Sequence, residues 1–317
     1  MPTFSFNVAG VVAVALACLT LPADAQSSRL EKISVDDARP IRTAIDKLEA
    51  MYGWAITYED PPYEHAKDLI DLSDPVFLRE HPGLRRLFPR GGHFEFGFDV
   101  PSSSSPESKP VLDALLRAYK SSGNPGIFAL GNTGSTWHIE PAGVVRKDGR
   151  TEPVRSVLDQ LITFPKARRT SLETFQLILS ALNASGKAVI VPAVIALNAL
   201  NQTTSTEGPE AEPAKAVLVR VFEDVNRRSI ELIGEPRRIV WDINYEPDSK
   251  TYYFNMHGVT IEEKIPSGGT RRRRPCGLRH ESAVLTCSLA QPPPSSRRAG
   301  TAAPGHPGGY RREASMC

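Results

Sequence analysis

"ISVDDARPIRTAIDKLEAMYGWAITYEDPPY", residues 33 to 63, decides how the chain is read. Ile41, Ala44, Ile45, Leu48 and Met51 recur at helical spacing, so the segment after Pro40 is expected to turn one apolar stripe toward a core. Pro40 suits the first turn of a helix and Gly53 its end. A short β-like run, Lys32 to Val35, precedes the helix, and "WAITY" follows as a strand that Pro61 and Pro62 terminate. The stretch therefore reads as strand, helix, strand.

The same order returns further along. A second stripe holds Val111, Leu112, Leu115, Leu116 and Tyr119; a third Leu172, Phe175, Ile178, Leu179 and Leu182; a fourth Val217, Leu218, Val221, Phe222 and Val225. Gly126 before "IFAL", Gly186 before "KAVIV", and Gly234 with Pro236 before "RRIVWDINY" read as helix stops leading into strands. Runs at Phe94 to Val100, Leu161 to Phe164 and Ile195 to Leu200 read as the preceding strands. Two hairpins are expected, turning through Gly131-Asn132-Thr133-Gly134 and through Pro247-Asp248-Ser249. "PSSSSPESKP" (101 to 110) and "NQTTSTEGPEAEP" (201 to 213) are polar connectors. Irregular spacing points to divergent repeats and not to a solenoid.

Charge divides the chain unevenly. Residues 265 to 317 hold nine Arg, no Lys and two Glu, a surplus of +7; since the whole chain carries +2, residues 1 to 264 carry −5. That tail also holds seven Pro and seven Gly with no apolar period, a composition that cannot pack a core, so disorder is expected from residue 265 onward. Arg without Lys beside Pro, Gly and Ala also fits a GC-rich frame read out of register, with a frameshift shortly after "FNMHGVTIEE".

At the other end an apolar run from Val8 to Leu21 precedes Pro22 and the small-x-small triplet Ala23-Asp24-Ala25. This is a secretory signal peptide pattern, residues 1 to 25, with cleavage expected before Gln26. No Lys or Arg precedes the run, which leaves an uncleaved membrane anchor as the alternative, and Cys18 in "ALAC" only loosely resembles a lipid attachment site. Cys18 lies in this segment and Cys276, Cys287 and Cys317 in the tail, so the body contains no thiol for a disulfide, a thiolate metal site or a nucleophile.

Candidate chemistry is sparse. Glu59 and Asp60 are adjacent, yet alternation along "WAITYED" points them to opposite faces, so they cannot easily flank one substrate bond, and a strand-end role is expected. His65, His81, His93, His138 and His257 are scattered, with no pair at helical ligand spacing and no H-E-x-x-H. No G-x-S-x-G or S-x-x-K occurs. "SGKAVIV" (185 to 191) lacks the first glycine of a phosphate-binding loop and enters a strand. Arg271 to Arg274 could meet an acidic surface but lie in the tail. No catalytic or metal-binding residue and no cofactor is expected, and Trp54 and Trp241 are expected in the core.

On Pro40-Ile41, Ile45, Leu48, Gly53 and Trp54 to Tyr58, the stretch resembles the short N-terminal domain of secretins and TonB-dependent receptors. It looks still more like a group of uncharacterised bacterial exported proteins that carry the same "GWAITYEDP" text, with likeness extending to "YYFNMHGV". The resemblance implies an α+β fold and a role in docking envelope partners without catalytic residues. No sign of a receptor barrel or secretin core follows, so gating and signalling do not carry over.

The expectation is thus an exported α+β protein of repeated strand-helix-strand units with helices on small mixed sheets. Its parts are a signal peptide (1–25), a first unit with connector (26–100), further units and hairpins (101–264) and a tail (265–317). Its expected role is non-catalytic binding or scaffolding in the bacterial cell envelope, periplasmic or secreted. A cell-envelope protein is the expected partner, without nucleic acid or a membrane span in the mature chain. The alternative is an envelope-polymer hydrolase, which a deep pocket gathering two or more of Glu59, Asp60, His93, His138 and His257 would favour.

Overall fold

The computed structural model describes residues 28–102, 104–233 and 237–261. The expected signal peptide and tail, with all four cysteines and Arg271 to Arg274, lie outside the described residues. What is described is a mixed α and β fold.

The segment that opened the sequence reading forms strand β1 (Ser28–Asp36), helix α1 (Pro40–Tyr52) and strand β2 (Ile56–Glu59). Pro40 occupies the first turn of α1. Gly53 ends the helix at φ +66°, a left-handed conformation that is cheap only for glycine, and its amide bonds the Glu49 carbonyl at 2.8 Å. Next come β3 (His93–Pro101), helix α2 (Ser108–Ser122) and the hairpin β4 (Ile127–Thr133) and β5 (Thr136–Val145). The second half of the chain brings helix α3 (Ser171–Ala184), β6 (Val189–Val194), helix α4 (Ala214–Ile233) and the hairpin β7 (Arg237–Glu246) and β8 (Thr251–Thr260).

One seven-stranded mixed sheet runs through the molecule in the order β6-β8-β7-β2-β5-β4, with Thr151–Pro153 also paired to β5. Its first three strands and its next three are ordered and directed alike: β6 is parallel to β8, which is antiparallel to β7, and β2 is parallel to β5, which is antiparallel to β4. The two triplets meet where β7 lies parallel to β2, matching Asp242 with Tyr58 and Ile243 with Glu59. Outside this sheet β1 and β3 pair antiparallel over their whole length, and Leu161–Thr163 pairs antiparallel with Glu210–Pro213.

Each sheet face has its own core. On one side Ile33, Val35, Phe94, Phe96 and Phe98 of the β1–β3 ribbon, the stripes of α1 and α2, and Ile56, Tyr58 and Ile139 of the sheet form one cluster. The two helices thus lie between the ribbon and the sheet. On the other side α3 and α4 cover Trp241, Ile243, Tyr245, Tyr252 and Phe254. By alternation β2 gives Ile56 and Tyr58 to the first core and turns Thr57 and Glu59 to the other side, while β7 gives Trp241, Ile243 and Tyr245 to the second core and turns Asp242 toward α1. Trp241 is 3% exposed and packs against Phe222 and Phe254, with ring centres 5.2 and 6.2 Å away.

Several expectations need correction. Trp54 is only half-buried, stacked on Tyr52 at 4.8 Å, and Met51 is exposed, because both sit where α1 has run past its core. Ile195 to Leu200 is not a strand: Leu197–Gln202 is a short helix that buries Ala199 and Leu200, a spacing compatible with either element in so short a run. The helix before "IFAL" ends at Gly123, three residues before Gly126. The first hairpin turns two residues later than expected, at Gly134-Ser135, because Gly134 takes φ +59° and Thr133 pairs with Thr136. The connector at 201 to 213 contains the strands Thr204–Ser205 and Glu210–Pro213.

Candidate functional site

Glu59 and Asp60 do point apart, but both are interior: Glu59 is 3% exposed and Asp60 0%. β2 has a neighbouring strand on each edge, and the helices of the two cores cover its two faces, so the strand end is buried. Glu59 faces α4. Its carboxyl meets the Ser156 hydroxyl and accepts from the Val157 amide at 2.8 Å. Burial pushes its pKa up to about 8, outweighing those hydrogen bonds. Asp60 accepts from four donors: Arg39 Nε at 2.6 Å, Tyr58 OH at 2.5 Å, Tyr63 OH at 2.9 Å and the Tyr245 amide at 2.9 Å. Desolvation and the Asp60 charge hold both tyrosine hydroxyls well above their ordinary pKa.

His138 shares the α4 face with Glu59. Its Nδ1 lies 2.6 Å from Thr57 Oγ1, and burial with the nearby Lys215 ammonium lowers its pKa to about 4, so the ring is neutral. Lys215 reaches both Glu140, at 2.7 Å, and Asp159, at 2.9 Å. At 1% exposure His138 is as unreachable as the two carboxylates. His93 is exposed at the start of β3, His81 lies against the Phe77 ring and His65 accepts from the Lys67 amide. An open depression of about 550 Å³ lies on α3, lined by Arg168, Arg169, Glu173, Gln176, Leu177 and Ser180, and none of the candidate residues enters it.

The group of titratable residues that does reach solvent is a different one. Arg42, Asp46 and Glu49 stand along one face of α1, and Asp242 of β7 and His257 of β8 face them from the sheet. His257 Nε2 lies 2.8 Å from Glu49 Oε2, and its Nδ1 lies 3.5 Å from Asp242 Oδ1. Arg42 contacts Asp46 through Nη1 and Asp242 Oδ1 through Nη2 at 3.1 Å. Asn244 and Asn255 donate to the other Asp242 oxygen at 2.8 and 3.1 Å.

Burial would lower the His257 pKa, but the Asp242 and Glu49 carboxylates outweigh it and raise it to about 9. Burial raises that of Glu49. For Asp242 burial acts the same way, yet His257 and Arg42 win and lower it. His257 side-chain exposure is 27% and that of Asp46 is 51%, so the cluster opens outward.

Of the histidines singled out in the sequence, His257 alone joins this group. Asp46 and Glu49 do not stand out in the sequence, since an acid on a helix face is normally a solvated residue. The positions of Arg42, Asp46 and Glu49, four and three residues apart, share a helix face, and that was the available signal. Asp242 and His257 carried none, since only the β7–β8 register, with Asp242 opposite Asn255 and Val240 opposite His257, sets them near α1.

A different feature marks the surface. Among residues 64–90, between β2 and β3, Pro89 alone is buried. This excursion contains a small antiparallel pair, Leu69–Asp71 with Leu87–Pro89, and the short helix Pro75–Glu80 with no buried residue. Ile70, Leu72, Val76 and Leu84 expose 39, 54, 50 and 58% of their surface.

Comparison with known protein families, curated proteins and solved structures finds no match for this chain. Among the described residues, no helix is long and apolar enough to cross a membrane.

Proposed function

We propose that this is an exported, non-catalytic binding or scaffolding protein of the bacterial cell envelope, periplasmic or secreted, which docks a partner protein through residues 64–90. The observation that carries this reading is the excursion itself. It leaves four large aliphatic side chains in water and has no core of its own, the condition expected of a surface that is covered when it works. Its charges balance, with Lys67, Arg79, Arg85, Arg86 and Arg90 against Glu64, Asp68, Asp71, Asp74 and Glu80, so the partner is sought by its apolar surface and not by charge. The matching order of the two strand triplets supports construction from divergent strand-helix-strand units.

A photo-crosslinking residue at Leu72 or Val76, carried on protein exposed to envelope extract, tests this. The expected result is one dominant protein adduct that disappears when Leu72, Val76 and Leu84 are all changed to Asp while the circular dichroism spectrum is unchanged. No adduct from either position, or one that survives the triple substitution, overturns the reading.

A further inference from the structure

Asp46, Glu49 and His257 each bring a potential ligand atom to within 4.8 Å of the others. Acids crowd together on many surfaces without holding anything, but Glu49 is not a surface acid. It is 6% exposed, and its Oε1 is buried with no hydrogen-bond partner, although Oε2 is bonded to His257. A buried carboxylate oxygen left without a donor is uncommon, because burial removes the water that would satisfy it.

We propose that Asp46, Glu49 and His257 form a binding site for a divalent first-row transition-metal ion of the zinc type. Charge is the first support. Asp46, Glu49 and Asp242 bring three negative charges against the single positive charge of Arg42, so once His257 gives up its second ring proton to become a ligand the group carries −2. One divalent cation balances it.

Ligand chemistry is the second. An imidazole with two carboxylates suits zinc and its neighbours, whereas calcium and magnesium prefer oxygen throughout. The surroundings are the third. With Nε2 as ligand, the His257 Nδ1 faces Asp242 Oδ1 at 3.5 Å without yet hydrogen-bonding to it, and a small turn of the ring on binding would let it donate there, as a metal-bound imidazole does to a carboxylate behind it. Asp242 is itself anchored by Arg42, Asn244 and Asn255.

The site must tighten to close on an ion. Zinc bonds of about 2.0–2.2 Å require ligand atoms roughly 3.3 Å apart. Asp46, at 51% side-chain exposure, can swing inward on α1 by exchanging its Arg42 contact for the metal. A fourth position on the open side is left to water. The ion would tie the first helix of the described chain to its last strand, so binding must raise stability by mass action.

The test uses the full chain without an affinity tag. Co²⁺ at neutral pH should give visible d–d absorption that saturates at one ion per chain, and excess Zn²⁺ should abolish it and raise the melting temperature. Asp46→Asn and His257→Gln should each weaken Co²⁺ binding at least about tenfold, the scale seen when even a supporting residue of a metal site is lost. Wild-type protein with neither absorption nor a melting shift overturns the proposal. So does undiminished absorption in Asp46→Asn, since the ion would then sit on other histidines or on cysteines. Should His257→Gln fail to fold, Asp46→Asn decides alone, because a half-exposed residue is not needed for folding.

Discussion

The backbone amide of Tyr245 donates to the Asp60 Oδ2 atom at 2.9 Å. The two residues are 185 positions apart, and a side chain at the end of β2 supplies the acceptor that a neighbouring strand would otherwise give β7. Together with Ile243 O accepting from the Asp60 amide at 2.8 Å, this is how the two strand triplets are joined beyond their two matched residues.

Asp60→Asn should therefore be severe. An amide replaces one acceptor oxygen by a donor, and each oxygen of Asp60 already serves two donors, so either orientation sets donor against donor and leaves Arg39 without its counter-charge. The cost expected is about 3–5 kcal/mol, the range for breaking a buried ion pair. Denaturant unfolding checks it, and a loss under about 1 kcal/mol would refute the account of the junction.

Glu59→Gln should behave in the opposite manner. A carboxyl whose pKa rises from 4.5 to about 8 on folding binds its proton more tightly in the native state, so its contribution is favourable at low pH and is lost as pH rises through that window. Glutamine keeps the shape without the ionisation. The stability of wild type relative to Glu59→Gln should then fall between pH 5 and pH 8 by at most about 1.4 kcal/mol per unit and level off above. His138, whose pKa falls to about 4, works with the other sign below pH 6.5 and cancels in the comparison because both proteins carry it.

The tryptophans should separate. Trp241→Ala removes a ring enclosed by Phe222 and Phe254 and should cost roughly 3–5 kcal/mol. Trp54→Ala removes a half-buried ring stacked on Tyr52 and should cost about 1–2 kcal/mol. Equal losses in thermal unfolding would contradict the difference in their surroundings.

Thr170→Ala should cost about 1 kcal/mol. Its hydroxyl accepts from the Glu173 amide at 3.1 Å while the Glu173 carboxylate accepts from the Thr170 amide at 2.8 Å, a reciprocal pair at the start of α3. Hydrogen exchange should quicken first in that turn.

Much of this was legible beforehand, for reasons that differ by element. Leu48, Leu112, Ile178 and Val221 stood on apolar stripes because helical periodicity is written in neighbours three and four residues apart, and each is buried. The pairing of Ile33 with Phe96 across 63 positions, or of Asp242 with Tyr58, is not local and leaves no trace in spacing. The same gap hid the open cluster. Three of its residues come from one helix face and two from the register of a distant hairpin. Glu59 and Asp60 do point apart at the end of a strand, but nothing in "WAITYED" says that β7 will pair beside it and that both carboxyls will be buried.

Strand β6 sits at the open end of the large sheet with Val189, Val191 and Val194 exposed. Such a strand invites another chain to lengthen the sheet, and the invitation is sharper here because β2, with the equivalent place in its own triplet, is lengthened in just that way by β7. Pro192 stands in the middle of β6, where it offers no amide hydrogen and coincides with an irregularity of register before Val194. An edge strand interrupted by proline is a poorer template for a further strand than an unbroken one. A chain that joins its two triplets edge to edge carries the same edge chemistry at its rim, and Pro192 blunts it there while Val189, Val191 and Val194 remain exposed.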